Sequence, residues 1–201
     1  MNSIHVHQLL HYAHHHPVVR TRDLETIGVP RGVLGRLVTD GRLCRLSRGL
    51  YALTDAEPSR FQSYAEVAKR VPKAVICLQS ALSFHEIGTQ APFEVWIALP
   101  AGTHSPKLNS PQLRIIRPGE SAFSQGVETH VIAGVPVKIY SATKTIVDCF
   151  KFRNKIGLDV ALEALKDVWR RKLVTMDELW RFAEINRVKN IMRPYLETLA
   201  A

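Results

Sequence analysis

Gly28-Val29-Pro30-Arg31-Gly32-Val33-Leu34-Gly35-Arg36-Leu37-Val38-Thr39-Asp40-Gly41 reads as a short helix set between two glycine stops. Pro30 suits the first helical position, because its missing N–H would be unpaired there in any case. Leu34, Leu37 and Val38 share one face, and Gly41 ends the run. At about 100° per residue, Gly32, Gly35, Arg36 and Thr39 fall on the opposite face. Glycines on an exposed helical face cost roughly 1 kcal/mol each relative to alanine. A backbone that must approach the floor of a DNA groove would account for them; a loosely wound structural helix is the alternative.

Upstream, Ser3 to His15 is amphipathic through Ile4, Leu9, Leu10 and Ala13, and Pro17 stops it. Thr21 precedes Arg22-Asp23-Leu24-Glu25-Thr26-Ile27, where a hydroxyl at the N-cap would satisfy a free backbone N–H. Downstream, Leu43-Cys44-Arg45-Leu46 and Leu50-Tyr51-Ala52-Leu53 flank Ser47-Arg48-Gly49, a hairpin placed where a wing belongs. A long helix, two short helices around a glycine turn and a hairpin predict a winged helix-turn-helix over residues 1–56. Residues 1–54 hold seven Arg and no Lys, against Asp23, Glu25 and Asp40. The arginine fork grips phosphate or guanine with two hydrogen bonds. The candidate DNA-binding residues are Thr21, Arg22, Arg31, Gly32, Gly35, Arg36, Thr39, Arg42, Arg45, Ser47, Arg48 and Tyr51. Arg36 is expected at a base edge, Arg31 and Thr21 at phosphates, and Arg42, Arg45 and Arg48 on the wing.

The whole chain carries 27 Lys and Arg against 18 Asp and Glu, a formal charge of +9. That balance favours a polyanionic partner, since each neutralised phosphate releases condensed counterions. Cys44, Cys77 and Cys149 are few and scattered, a reduced, cytoplasmic pattern rather than a disulfide frame. No apolar run reaches the roughly 20 residues that cross a bilayer, and the first residues lack the layout of a signal peptide. His5, His7, His11, His14, His15 and His16 crowd the first helix. His7 and His11 have a zinc-compatible spacing, but no cysteine or carboxylate cluster completes a site. A solvated, pH-dependent basic face is the expected reading, with no metal and no cofactor.

Asp55-Ala56-Glu57-Pro58-Ser59 is the expected joint, and residues 57–201 read as a larger α+β domain with a small sheet and a carboxy-terminal helical bundle. Helices are predicted over Phe61–Arg70 and Val75–Ile87, and strands over Glu94–Leu99, Leu113–Ile116, Thr129–Ile132 and Val135–Tyr140. Further helices follow over Ala142–Phe152, Leu158–Lys172, from a Thr175/Glu178 capping box, and over Val188–Leu199. No phosphate loop, HExxH zinc motif or GxSxG elbow is present, so no enzymatic activity is expected. Lys144 and Asp148, one turn apart, read as a surface ion pair on an amphipathic helix; the functional alternative is a polar face meeting a partner, with Lys151 and Arg153. His85 reads as a satisfied core histidine or, less simply, a base.

The stretches Gly28-Val29-Pro30, Leu37 to Leu43 and Arg45 to Tyr51 resemble the antitoxin of AbiE-type systems, described as predicted transcriptional regulators of viral defence. Ser80-Ala81-Leu82-Ser83-Phe84-His85, the Val95 strand, and Ser141 to Phe150 with Arg153 resemble the family's second domain. The resemblance implies a bacterial antitoxin that represses its own promoter at inverted repeats. It also implies a second domain that counteracts a nucleotidyltransferase-like toxin encoded alongside. His85, Lys144, Asp148, Lys151 and Arg153 are the candidates for that second role. Such systems are classed as type IV, in which a stable complex with the toxin is not required. The alternatives are a stand-alone regulator whose second domain senses a ligand or metal, and an enzyme such as a nuclease in residues 57–201.

Overall fold

The computed structural model of the chain describes residues 3–16, 18–55, 60–108 and 110–200. The amino-terminal part runs α1 (Ser3–His15), β1 (Val19–Arg20), α2 (Asp23–Thr26), α3 (Gly32–Thr39), β2 (Leu43–Ser47) and β3 (Leu50–Leu53). β3 lies between β1 and β2, antiparallel to both. This is the expected winged helix-turn-helix, with β1 added. Leu9, Leu24, Leu34, Leu37 and Leu43 fill one core, each almost wholly removed from water. Both glycine stops work as read. Gly28 and Gly41 take φ of +66° and +69°. At the second, Arg42 N–H reaches Leu37 O at 2.9 Å and Gly41 N–H reaches Val38 O at 3.1 Å, a paired closure that only a left-handed residue permits.

Two local expectations are corrected. Thr21 does not cap α2: Arg22 holds the N-cap without a side-chain bond. Instead the Asp23 carboxylate, within the helix, accepts from Arg20 N–H at 2.8 Å. α3 begins at Gly32, after an Arg31 cap, so Pro30 shapes the approach rather than the first turn.

Compactness divides the chain into Met1–Pro72 with Val131–Val137, and Lys73–His130 with Lys138–Ala201. Of the expected joint at Asp55–Ser59, residues 56–59 lie outside the described residues. α4 (Gln62–Arg70) belongs to the first unit, where Lys69 pairs with Asp23 at 2.9 Å and bonds Val18 O.

The second α+β part comprises β4 (Val75–Ile76), α5 (Leu78–Phe84), β5 (Val95–Ala98), β6 (Leu113–Ile116), α6 (Glu120–Ser124), β7 (Val127–Ile132) and β8 (Val135–Tyr140). It continues with α7 (Ala142–Lys151), α8 (Arg153–Ile156), α9 (Leu158–Arg170), α10 (Met176–Ile185) and α11 (Lys189–Ala200). The sheet order is β6-β5-β4-β8-β7. Val75 and Ile76, expected to begin a helix, form its middle strand, antiparallel to β5 and parallel to β8. A short unbroken apolar run fits a buried strand or a buried helix equally well, and here the β-branched pair takes the strand. The Ser80 hydroxyl accepts from Trp96 N–H at 2.9 Å, fastening α5 to β5.

α7 is buried at every position from Thr143 to Phe150. α5, α9 and α10 all pack on it. Ser141 caps it as read, accepting from Lys144 N–H at 3.3 Å, and the Thr175/Glu178 capping box opens α10. Gly126 takes φ of +69°, and a Cβ there would stand 2.7 Å from Lys144 Cβ and 3.1 Å from Phe182 Cε1. Gly126→Ala is therefore expected to lower the unfolding free energy by about 1–3 kcal/mol, measured by urea denaturation.

Candidate nucleic-acid interface and the buried polar cluster

α3 turns Leu34 and Leu37 inward and leaves Gly32, Gly35, Arg36 and Thr39 exposed. A Cβ at Gly32 or Gly35 would meet nothing within 4 Å, and neither has a positive φ. Packing and backbone therefore do not require glycine at either place. Arg36 Nε stands 3.7 Å from Asp40, and Arg31 pairs with Glu25 at 3.1 Å with both side chains about 70% exposed. Surface pairs of this kind contribute about 0–1 kcal/mol, so either arginine can exchange its partner for a phosphate at little cost. Thr39 donates its hydroxyl to Gly35 O at 3.0 Å. Arg22 is exposed at the start of α2.

The wing turn is closed by Gly49 at φ +77°. Thr21 donates to Gly49 O from its backbone at 3.1 Å and from its hydroxyl at 3.5 Å, so it positions the turn. Arg45 pairs with Tyr51 across the hairpin, and a bulge interrupts the register before Ser47. Arg42, Arg45 and Arg48 are exposed and Tyr51 is half-buried. The Ser47 side chain lies outside the described residues. On α1, His15 Nδ1 lies 2.9 Å from His11 O and His16 Nδ1 lies 3.1 Å from Tyr12 O, with His16 stacked on the Tyr12 ring at 4.0 Å. Among the described residues no three His, Cys, Asp or Glu side chains gather as a metal site would need.

In the second unit the expectation of a surface ion pair is overturned. Lys144 and Asp148 are in contact at 0% and 1% exposure, because α7 has no wet face. Lys144 Nζ also sits 4.4 Å from the centre of the Tyr140 ring. Asn186, at the end of α10, donates from Nδ2 to Asp148 Oδ1 at 2.7 Å. Burial raises the Asp148 carboxyl above the usual carboxylate range, against the opposing pull of Lys144 and Asn186. Burial likewise raises Tyr140, whose hydroxyl donates to Phe123 O at 2.9 Å.

The other candidates lie apart from this pair. Lys151 is exposed, and Arg153 is half-buried with its guanidinium donating to Phe150 O at 3.0 Å. His85 is half-buried, Nε2 standing 2.8 Å from Tyr140 O. Asn186 was missed by sequence reasoning. It lies 38 residues from Asp148, and a lone asparagine at a helix end carries no local signal.

Residues 7–54 match the family model described as "Transcriptional regulator, AbiEi antitoxin". That match lies wholly within the amino-terminal module, from α1 through β3. No curated protein sequence matches the chain. Among solved structures, the crystal structure of the RV2827C protein from Mycobacterium tuberculosis is similar in fold, with a TM-score of 0.56 and 16% identity. The alignment covers 83% of this chain and 66% of that one.

The AbiEi-type match spans α3 and the wing together, the two elements that bring the exposed arginines to one module. Among the described residues no helix is long and apolar enough to cross a membrane. Two outcomes follow. Lys144→Met, which strands a buried carboxylate, is expected to cost about 3–5 kcal/mol, and combining it with Asp148→Leu should recover most of that loss in the same urea titration. Gly35→Ala has room for its methyl group and should raise helix stability while weakening binding to DNA; an affinity unchanged or improved in a gel-shift titration would show that α3 does not approach the groove closely.

Proposed function

We propose that this chain is a DNA-binding autorepressor and antitoxin. Its amino-terminal module binds double-stranded promoter DNA at inverted repeats, and its second unit counteracts a nucleotidyltransferase-like toxin encoded beside it. One observation carries the reading: the AbiEi-type module presents an exposed α3 face with Arg36 and a wing with Arg42, Arg45 and Arg48. In this reading α3 enters the major groove and the wing arginines hold the backbone, which gives register without sequence information. Two copies at an inverted repeat would be spaced by the helical turn of DNA. The chain works in the cytoplasm, in a type IV phage-defence system, and without catalysis.

The test is a promoter-binding titration over a range of salt. Affinity should fall steeply, by the counterion argument. Arg48→Ala should weaken binding to all sequences and reduce the salt slope by about 1, whereas Arg36→Ala should cost about 1–3 kcal/mol and relax base preference at one position. Salt-insensitive binding, or none to the operon's own promoter, would overturn the repressor reading. Co-expression with the adjacent gene tests the other half: growth inhibition by that gene should be relieved by the full chain, and a failure to relieve it would overturn the antitoxin reading.

A further inference from the structure

A cleft of about 850 Å³ in the second unit is lined from α5, from residues 90–94, from β6 and from α8. Phe93, wholly exposed, stands on its wall. A lone aromatic on a surface needs no explanation, but this one has particular company. Gln79 on α5, Gln90 in the segment before β5 and Gln112 at the foot of β6 bring three amides to the same cleft. Among the described residues none of these amides has a hydrogen-bond partner, and the Lys155 ammonium on α8 has no counter-ion. Arg114 donates from Nε to Glu94 at 2.5 Å. That bond fixes the guanidinium and leaves its terminal nitrogens without a partner among the described residues. Gln112, Arg114 and Lys155 are exposed, and Gln79 and Gln90 are half-buried. Each of these groups is thus open, at least in part, to a ligand from solvent.

We propose that this cleft binds single-stranded nucleic acid, with a base laid on the Phe93 ring, the amides at base edges, and Lys155 and Arg114 at phosphates. Single strands are held by aromatic faces in a cationic groove, and their unstacked bases expose edges for hydrogen bonding. An amide carries both donors and an acceptor, so it meets the mixed edge that a base presents. A duplex keeps its bases stacked inward and has nothing to lay on the ring. An acidic protein segment would suit the cations, but it would have to supply a pocket for a ring that no side chain of this chain covers. A base needs only its flat face. The site shares no residue with α3 or the wing, and it does not depend on duplex binding by that module.

The test uses the full chain in saturating unlabelled promoter duplex, and the anisotropy of fluorescein-labelled oligothymidylate and oligouridylate of about eight nucleotides. Both strands should bind at low salt, and the tighter of the two tells whether the site serves DNA or RNA. Phe93→Ala should weaken both by about fivefold or more, the worth of one stacked base. Phe93→Trp should keep the affinity, and the indole fluorescence it adds should be quenched on binding. Lys155→Ala should reduce the salt slope by about 0.7. Both positions are exposed, so an unchanged Tm separates these effects from unfolding. No binding of either strand, an affinity unchanged in Phe93→Ala, or displacement by polyglutamate as readily as by unlabelled strand would overturn the proposal. Failure of the duplex itself to bind would overturn only the repressor reading, since Phe93→Ala still reports on this cleft alone.

Discussion

A lysine ammonium and an aspartate carboxylate one turn apart on α7 are both closed off from water. Removing such ions from water costs several kcal/mol each, and their attraction repays it only where other groups complete the shell. Three do so here. The Tyr140 ring faces the ammonium, Asn186 donates to the carboxylate, and Gly126 leaves the space that the Lys144 stem occupies. Each comes from a different element. Satisfying one ion pair therefore fixes β8, α10 and the turn before β7 around a single helix. This is why α7 can be buried on all sides, with α5, α9 and α10 packed on it. The pair need not add net stability, because a well-packed apolar pair of similar volume would often stabilise as much.

The amino-terminal module is organised on the opposite electrostatic principle. Its charges sit on the outside in loose surface pairs, Arg31 with Glu25 and Arg36 with Asp40. Those pairs are weak in high dielectric and screened by salt. Rigidity comes instead from the backbone, through the glycine closures after α2 and after α3 and from Thr21 tied to Gly49. A stiff frame carrying weakly engaged arginines meets what phosphate binding needs. The geometry is set in advance, and the cations lose little on changing partner.

These two principles differ in how far a sequence reveals them. The glycine stops of α2 and α3, the wing, the Ser141 cap and the Thr175/Glu178 box are local signals, complete within a few residues, and the structure repeats them. β1 was not legible, because its pairing is with β3, far along the chain, and two residues carry no periodicity. Val75-Ile76 was misread because an apolar run lacks the alternation that separates strand from helix. The burial of Lys144 and Asp148 was misread because charges one turn apart ordinarily mark a wet face. Nothing within α7 itself discloses that three helices cover it. Of the reading face, the exposure of Gly32, Gly35 and Arg36 was legible; Thr21's bond to the wing carbonyl was not.

The histidine run of α1 shows how one composition can serve a purpose that its richness hides. Six imidazoles in a short span suggest metal or titration. Yet His15 and His16 place Nδ1 within hydrogen-bond distance of His11 O and Tyr12 O, and Tyr12 O also accepts from His16 N–H at 2.8 Å. With Nδ1–H as donor, each ring adds a second bond to a carbonyl near the end of α1, and His16 also stacks on Tyr12. These two histidines thus reinforce the end of α1, the helix whose Leu9, Leu10 and Ala13 support the core beneath α3. In the proposed DNA-binding reading their part is indirect, through the platform on which α3 rests.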